Sequence, residues 1–142
     1  MKTTGTLIAA FGRQYEVRTD DTGEILLCVP RGKKSLFACG DRVQIAATGP
    51  GQGVIDKLLE RTSLLYRSDA WRQKLIAANA TQVVLVVATE PSFSDEFLSR
   101  CICAAESQHL KVLIVLNKID IVAGLEGARA QLATFAKLDY PI

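Results

Sequence analysis

The sequence is poor in the residues that most often hold metals or form cross-links. Its 142 residues include one histidine, His109, and four cysteines at positions 28, 39, 101 and 103. The cysteines do not show the paired spacing of a zinc site, and His109 has no neighbouring nucleophile or partner pattern. Cys101 and Cys103 are two apart in a predicted helix, so their side chains point in different directions. This pattern favours reduced thiols packed as small hydrophobic groups over a metal site or a disulfide.

Long apolar runs are also missing. No stretch approaches the length of a membrane span, and the first five residues are too polar to begin a signal peptide. We therefore expect a soluble, cytoplasmic protein with no membrane partner. Residues 1–70 carry ten Lys or Arg against eight Asp or Glu, with a basic cluster at Arg31, Lys33 and Lys34. So small an excess is weak evidence for nucleic-acid binding, because a solvated loop has the same composition.

The sequence lacks a phosphate-binding loop of the form G-x-x-x-x-G-K-[ST]. Gly32-Lys33-Lys34-Ser35 resembles the end of such a loop, but the required earlier glycine is replaced by Leu27 and no helical pattern follows. Asp20-Asp21-Thr22-Gly23 fits the loose D-x-x-G pattern of a nucleotide switch. Because it lies between two strand-like runs, the pattern favours a hairpin turn instead.

The first half of the chain has the pattern of a small β domain. Glycine-rich turns separate five short apolar or alternating runs, at residues 6–10, 14–18, 24–29, 42–46 and 53–59. This spacing predicts a small closed β-barrel, OB-like or SH3-like. A barrel with basic loops commonly binds RNA or DNA, but it can equally be a packing or protein-contact module.

A more polar stretch begins at Glu60 and contains Arg61, Arg67 and Arg72. We interpret it as a linker and predict two domains, residues 1–68 and 69–142. Trp71 is the sole tryptophan. It is a candidate stacking residue, but we favour a side chain that covers the domain junction.

The second half predicts a strand–helix–strand unit followed by a helix. Ser94 is a candidate N-cap, and Asp95 and Glu96 fall in the first turn, where the helix dipole favours acids. The first strand is a continuous aliphatic run, typical of a strand buried on both faces of a parallel sheet. The predicted strands are 83–88 and 111–116, and the predicted helices are 97–109 and 122–138.

A polar tetrad, Asn117-Lys118-Ile119-Asp120, directly follows the second predicted strand. Open α/β sheets bind ligands at this carboxyl edge. In an N-K-x-D site the Asp carboxylate accepts hydrogen bonds from the N1–H and amine of guanine. The Asn amide reaches the other edge of the base or braces neighbouring loops, and the Lys stem covers the ring. Such a tetrad arises by chance in roughly one chain in sixty of this length. The alternative is a turn in which Asn caps while Lys and Asp face solvent.

In its order of segments, the chain resembles the RsgA family of circularly permuted GTPases that act on the small ribosomal subunit. The resemblance covers nearly the whole chain. In that family the guanine motif comes first, the phosphate loop and switches follow, and a zinc-binding domain of cysteines and a histidine closes the protein. Besides the tetrad, the matching segments are 31–33, 40–43, 61–67 and 74–87.

The resemblance implies a two-part fold. An OB-like β-barrel that binds ribosomal RNA is followed by the first part of an α/β P-loop-type GTPase domain, circularly permuted and truncated. Asn117, Lys118 and Asp120 would bind guanine, and Arg31, Lys33, Lys34 and Arg42 are candidate RNA contacts. The implied ligands are GTP or GDP with Mg²⁺, and Zn²⁺ in a carboxy-terminal domain absent here. The implied partners are the small ribosomal subunit and its rRNA.

The missing phosphate loop would lie downstream of the tetrad in a permuted order, so we expect residues 1–142 to be an amino-terminal fragment. The parent protein would be a GTP hydrolase that couples hydrolysis to late maturation of the small subunit. The chain itself would contain no catalytic residue or metal ligand, would bind nucleotide weakly or not at all, and would not hydrolyse GTP alone. The alternative is a non-catalytic RNA- or ribosome-binding OB-fold module.

Overall fold

The computed structural model describes residues 1–32 and 36–142 and divides into two compact units, Met1–Ala80 and Thr81–Ile142. Lys33 and Lys34, two of the candidate RNA contacts, lie outside the described residues.

The first unit contains a closed β-barrel of five strands, with the order β1-β2-β3-β5-β4 around the barrel. β3 and β5 are parallel, and the other neighbouring strands are antiparallel. The predicted OB-like barrel is therefore confirmed. The strands are β1 Lys2–Phe11, β2 Gln14–Thr19, β3 Ile25–Pro30, β4 Arg42–Gly49 and β5 Gln52–Leu58.

The barrel core follows from the alternation along each strand, because successive side chains of a strand point to opposite faces. Leu7, Val17, Val43 and Ile45 are fully buried, whereas their neighbours along the strands are at least partly exposed. The segment 20–23 is the turn between β2 and β3, closed by a 2.9 Å bond from Thr19 N to the Glu24 carbonyl. The hairpin interpretation of the D-x-x-G match is thus confirmed.

The stretch predicted as a linker instead forms an antiparallel hairpin of β6 Leu64–Ser68 and β7 Gln73–Ala78. The linker prediction was wrong because the arginines conceal two short apolar runs that pair with each other. Hydrogen bonds fix the hairpin to the barrel unit: Ala78 N donates to the Cys39 carbonyl at 2.8 Å. The predicted domain boundary after residue 68 coincides with the end of β6.

Trp71 lies in the turn of this hairpin and is 92% exposed. The prediction that it covers a domain junction stays a prediction.

A buried ion pair connects the segment before β4 to the segment after β5. Asp41 is fully buried, and Arg61 donates to both of its carboxylate oxygens, Nε to Oδ1 at 2.7 Å and Nη2 to Oδ2 at 2.8 Å. Asp41 Oδ2 also accepts from Ala38 N at 2.8 Å, and Arg61 Nη2 donates to the Leu36 carbonyl at 3.0 Å. The pair therefore holds the chain that enters β4 against the barrel.

The second unit contains the predicted strand–helix–strand unit. β8 and β9 pair in parallel, from Gln82 opposite Lys111 to Ala88 opposite Asn117. The Ser94 hydroxyl caps α1 by accepting from Phe97 N at 3.1 Å, as predicted. His109 ends that helix region with a positive φ of 56°. The elements are β8 Gln82–Ala88, α1 Asp95–Ser107, β9 Lys111–Asn117 and α2 Leu125–Ala136.

Burial of the two parallel strands differs. Val112 and Ile114 of β9 are buried, whereas Val84 and Val86 of β8 are 50% and 61% exposed. The prediction of a first strand buried on both faces was therefore wrong for the structure described, in which β8 has β9 as its only strand partner. On the other edge of β9, Ile114 N donates a 2.9 Å hydrogen bond to the Pro141 carbonyl.

The helices within residues 1–32 and 36–142 are all too short or too polar to cross a membrane.

Candidate functional site

The N-K-x-D tetrad lies at the carboxyl edge of the parallel sheet, where the sequence placed it. Asn117 is the last residue of β9 and lies opposite Ala88, the last residue of β8. Lys118 then adopts a positive φ of 57°, and a 3.0 Å bond from Ile121 N to the Lys118 carbonyl closes a turn. Both strands therefore end at the same level, and the tetrad begins beside the loop that follows β8.

Lys118 connects these two neighbouring loops. Its Nζ donates a 2.9 Å hydrogen bond to the carbonyl of Glu90, in the loop between β8 and α1. The sequence analysis gave a loop-bracing role to Asn117 and missed this one, because the acceptor is a backbone carbonyl that no side-chain pattern reveals. The ammonium is therefore anchored at the edge of the sheet, which leaves the aliphatic stem to cover an adjacent surface.

Asp120 and Asn117 present free polar groups. Both residues are exposed, and within the described part of the chain no hydrogen bond or ion pair engages either side chain. A guanine base offers an N1–H and an amine to one carboxylate, and an ionised carboxylate accepts such bonds at both oxygens. The donor and acceptor chemistry of the tetrad therefore fits guanine.

A cleft of about 530 Å³ borders the start of the tetrad. Asn117 and Lys118 line it, but Asp120 does not. The other lining residues are Val86, Val87, Ala88, Pro91, Ser92, Phe93, Ser94 and Phe97. Because most of these side chains are apolar and three belong to the edge strand β8, we assign the cleft to the unpaired edge of the sheet rather than to a base.

One polar atom at this edge was missed by the sequence analysis. Thr89 directly follows β8, and its Oγ1 is buried without a hydrogen-bond partner in the described part of the chain. Buried hydroxyl groups are usually paired. The only sequence signal was its position, one residue beyond a predicted strand that ends near the tetrad.

The structure places the two described candidate RNA contacts in separate ion pairs. Arg31 Nε donates to Asp56 Oδ1 at 2.6 Å, and Lys2 Nζ lies 3.6 Å from Asp56 Oδ2. The Arg31 side chain nevertheless remains 67% exposed.

Arg42 is held on both of its terminal nitrogens. Nη1 donates to Asp20 Oδ1 at 2.7 Å and to Thr6 Oγ1 at 2.8 Å, and Nη2 donates to Asp20 Oδ2. The guanidinium of Arg42 is thus fixed on the outside of the barrel, whereas within residues 1–32 and 36–142 no hydrogen bond engages the terminal nitrogens of Arg31.

Comparison with known proteins decides the family. The sequence profile of the RsgA GTPase family matches residues 58–142. The chain belongs to the RsgA GTPase family.

Curated proteins similar to this chain carry the name RsgA. The chain is 55% identical over 138 residues to the small ribosomal subunit biogenesis GTPase RsgA of Nitrosospira multiformis, and 50% identical to that of Paraburkholderia phytofirmans. In each case the match covers 97% of this chain and 44% of the relative. The chain therefore spans less than half the length of the curated RsgA proteins it matches.

Solved structures of two related proteins have the same fold. YjeQ from Thermotoga maritima matches with a TM-score of 0.73 and 29% identity, over 100% of this chain and 51% of YjeQ. YloQ, described as a circularly permuted GTPase, matches with a TM-score of 0.67 and 24% identity, over 99% of this chain and 50% of YloQ. The predicted fold class, a barrel followed by the first part of such a GTPase domain, is confirmed.

The RsgA GTPase match begins at Leu58, the end of β5, so it includes the β6–β7 hairpin that packs with the barrel unit. The start of the family match at residue 58 and the boundary between the compact units after residue 80 therefore divide the chain at different points. The predicted boundary after residue 68 lies between them and stays a prediction.

The Arg42–Asp20 pair of this RsgA GTPase chain gives a testable titration. The hydrogen bonds from Arg42, and then from Thr4, lower the pKa of Asp20 from 3.8 to about 2. Because folding lowers this pKa, the ionised carboxylate stabilises the folded state at pH values above the pKa of the unfolded chain. That stabilisation is lost as the pH falls from about 4 to about 2. Its size stays below about 1 kcal/mol, because both side chains are well exposed.

We expect carbon-detected NMR titration to give Asp20 a pKa near 2. In Arg42→Ala the value should rise towards 3.8. Arg18→Ala, which removes an exposed arginine from the neighbouring strand β2, should leave it in place. A normal Asp20 pKa in the unmodified chain would contradict the pairing.

Proposed function

We propose that this chain is the guanine-reading and RNA-binding part of a GTPase that binds the small ribosomal subunit and couples GTP hydrolysis to its late maturation. The observation that carries the proposal is the N-K-x-D tetrad at the carboxyl end of β9, with an unengaged Asp120 carboxylate, in a chain of the RsgA GTPase family. The names of the relatives, small ribosomal subunit biogenesis GTPases, support it. The proposed location is the cytoplasm, without a membrane partner.

In the proposed site, Asp120 accepts hydrogen bonds from guanine N1–H and the exocyclic amine. Adenine lacks this donor pair, so Asp120 selects the base. Lys118, anchored to the Glu90 carbonyl, lays its stem over the ring, and the free amide of Asn117 faces the opposite edge. The Lys118–Glu90 bond therefore orients the stem before the nucleotide arrives.

The residues of the tetrad are not proposed to bind magnesium or the triphosphate. Bound Mg²⁺ would neutralise the charge that develops during phosphoryl transfer. The sequence has no phosphate-binding loop to hold the triphosphate, and we assign no residue of this chain to Mg²⁺, to the family's zinc ion or to catalysis. We therefore propose that the chain alone binds GTP weakly and does not hydrolyse it.

The barrel is the proposed RNA-binding part, with Arg31, Lys33, Lys34 and Arg42 as contacts. The two described arginines are not equivalent. Arg31 uses Nε for Asp56, and no other described residue engages its two terminal nitrogens, which suits a phosphate oxygen at the surface. Arg42 donates from both terminal nitrogens to Asp20, so an RNA phosphate would have to compete with a carboxylate. We therefore rank Arg31 above Arg42.

The guanine assignment is tested by a substitution that should change the base preference. The test uses a version of this protein as long as its curated relatives. Asp120→Asn removes the charged acceptor, and each hydrogen bond to a charged group contributes about 1.5–3 kcal/mol. We expect GTP affinity to fall by roughly 10- to 150-fold. Affinity for xanthosine triphosphate should rise, because its C2 carbonyl accepts from the new amide. Isothermal titration calorimetry with both nucleotides measures the exchange.

Asp139→Asn is the matched control, since it makes the same change at another exposed position of the second unit. It should leave both affinities unchanged. Unchanged GTP binding in Asp120→Asn would overturn the guanine assignment.

A further inference from the structure

The turn of the β6–β7 hairpin presents an aromatic ring and three cations to solvent. Trp71 is 92% exposed, and Arg67, Arg72 and Lys74 are all exposed around it. An indole ring in full contact with water has no role in packing the unit. Large aromatic side chains are usually at least partly buried.

The turn is held in one conformation by its own hydrogen bonds. Asp69 Oδ1 accepts from the backbone N–H of Trp71 at 2.9 Å and of Arg72 at 2.7 Å, and Asp69 N donates to the Arg72 carbonyl at 2.9 Å. The same bonds, that from Trp71 first, lower the pKa of Asp69. The indole thus projects from a fixed turn, and the carboxylate is already engaged with the backbone.

Three cations lie close together around the turn. Arg67 lies directly opposite Lys74 in the hairpin, and like charges in such a cross-strand pair destabilise it. Among residues 1–32 and 36–142, no ion pair includes Arg67, Arg72 or Lys74. All three line one cleft of about 480 Å³, together with Ser68 and Asp69. Three cations against one carboxylate make this cleft suitable for an anion.

We propose that the tip of the β6–β7 hairpin binds single-stranded RNA. An unpaired base stacks on Trp71, and the flanking phosphates contact Arg67, Arg72 and Lys74. Aromatic rings combined with basic side chains are the usual chemistry for single strands. A duplex keeps its bases stacked inside and cannot offer one to Trp71. The surface around the ring is charged and polar rather than apolar, which disfavours a membrane or a hydrophobic protein partner.

This contact rests on the proposed function, since the small-subunit RNA is its natural source of unpaired bases. It extends that function by adding a second RNA surface. The hairpin forms its own two-stranded sheet, distinct from the sheet of the five barrel strands.

Trp71 is the sole tryptophan, so its fluorescence reports on this site alone. We expect a 12-nucleotide oligouridylate to quench that fluorescence, and a 12-base-pair RNA duplex to quench it far less. Anisotropy of the labelled oligonucleotide measures total binding in parallel. Trp71→Ala should raise the Kd about tenfold, within the range for one stacked base. Trp71→Phe, which keeps a ring, should recover most of the affinity.

The charge contribution is tested by salt dependence. Each phosphate contact adds about 0.7 to the slope of log K against log salt for single strands. Replacing Arg67, Arg72 and Lys74 with Ala should therefore reduce the slope by about 2. Arg100→Ala, an exposed arginine on α1, is the matched control and should behave like the unmodified chain. Circular dichroism melts of each variant confirm that the fold is kept.

Three outcomes would overturn the hairpin proposal, and they differ in what else they affect. RNA binding by anisotropy with silent Trp71 fluorescence and an unchanged Kd in Trp71→Ala would remove the hairpin contact and leave RNA binding to the barrel. Quenching by phosphatidylserine vesicles but not by RNA would assign the tip to a membrane surface. Failure of the unmodified chain to bind either RNA would overturn the RNA-binding part of the proposed function as well.

Discussion

Replacing Arg61 with alanine is expected to lower the free energy of unfolding of the barrel unit by about 3–5 kcal/mol. The fully buried Asp41 carboxylate accepts from Arg61 at 2.7 and 2.8 Å, and the variant would leave it with a single recorded donor, Ala38 N. An unpaired charge in a site without water is among the most costly defects in a folded protein. Amide hydrogen exchange of Val17 and Ile45 in the barrel core would measure the loss in this unit specifically.

Two further variants separate the ion pair from simple loss of an arginine. Arg18→Ala, at an exposed position of β2, should change the free energy of unfolding by less than about 0.5 kcal/mol. Adding Asp41→Asn to Arg61→Ala should recover part of the loss, because it removes the stranded charge. A loss below about 1 kcal/mol in Arg61→Ala would show that water or another donor satisfies Asp41.

The second large effect is expected from Gly40→Ala. Gly40 has a positive φ of 94°, and a Cβ atom there would lie 2.0 Å from the Ala78 carbonyl oxygen. This is where the hairpin approaches the barrel, since Ala78 N donates to Cys39 O and Asn79 Nδ2 donates to Gly40 O at 2.9 Å. Backbone strain of about 1–3 kcal/mol combines with the cost of forcing two segments apart, about 1–3 kcal/mol.

We therefore expect Gly40→Ala to lose about 2–6 kcal/mol of unfolding free energy and to weaken the protection of the hairpin amides from exchange. Gly12→Ala is the matched control, because Gly12 also has a positive φ, of 64°, but nothing lies within 4 Å of its would-be Cβ. Its loss should reflect the backbone alone, about 1–2 kcal/mol. Equal losses in the two variants would mean that the contact with Ala78 contributes nothing.

The barrel could be predicted from the sequence because short apolar or alternating runs mark the strands and glycine-rich turns separate them. Prediction failed for β6 and β7, where Arg67, Arg72 and Lys74 interrupt the two short apolar runs that pair with each other. A composition window averages such a short hairpin into a polar segment. It also failed for the burial of β8, since an aliphatic run shows that a strand can be covered on both faces but not which neighbours cover it.

The candidate site was predictable in the same uneven way. The position of Asn117, Lys118 and Asp120 followed from the rule that parallel strands bring their carboxyl ends to one edge. The partners of these residues did not follow, because the Glu90 carbonyl that holds Lys118 is a backbone group common to all residues. The pairing of Arg31 with Asp56 and of Arg42 with Asp20 was hidden for a different reason, since each pair joins residues more than twenty positions apart.

The way the barrel closes affects when it can form during synthesis. β1 pairs with β4, from Lys2 opposite Ala46, and β3 pairs in parallel with β5, so the ring cannot close until the chain reaches Leu58. Domains with such distant pairings fold in about milliseconds to seconds, whereas a ribosome adds about 5–20 residues per second. Residues 81–142 therefore take several seconds to make. The unit that carries Arg31 and Trp71 can thus finish folding while the residues from Asn117 to Asp120 are still being translated.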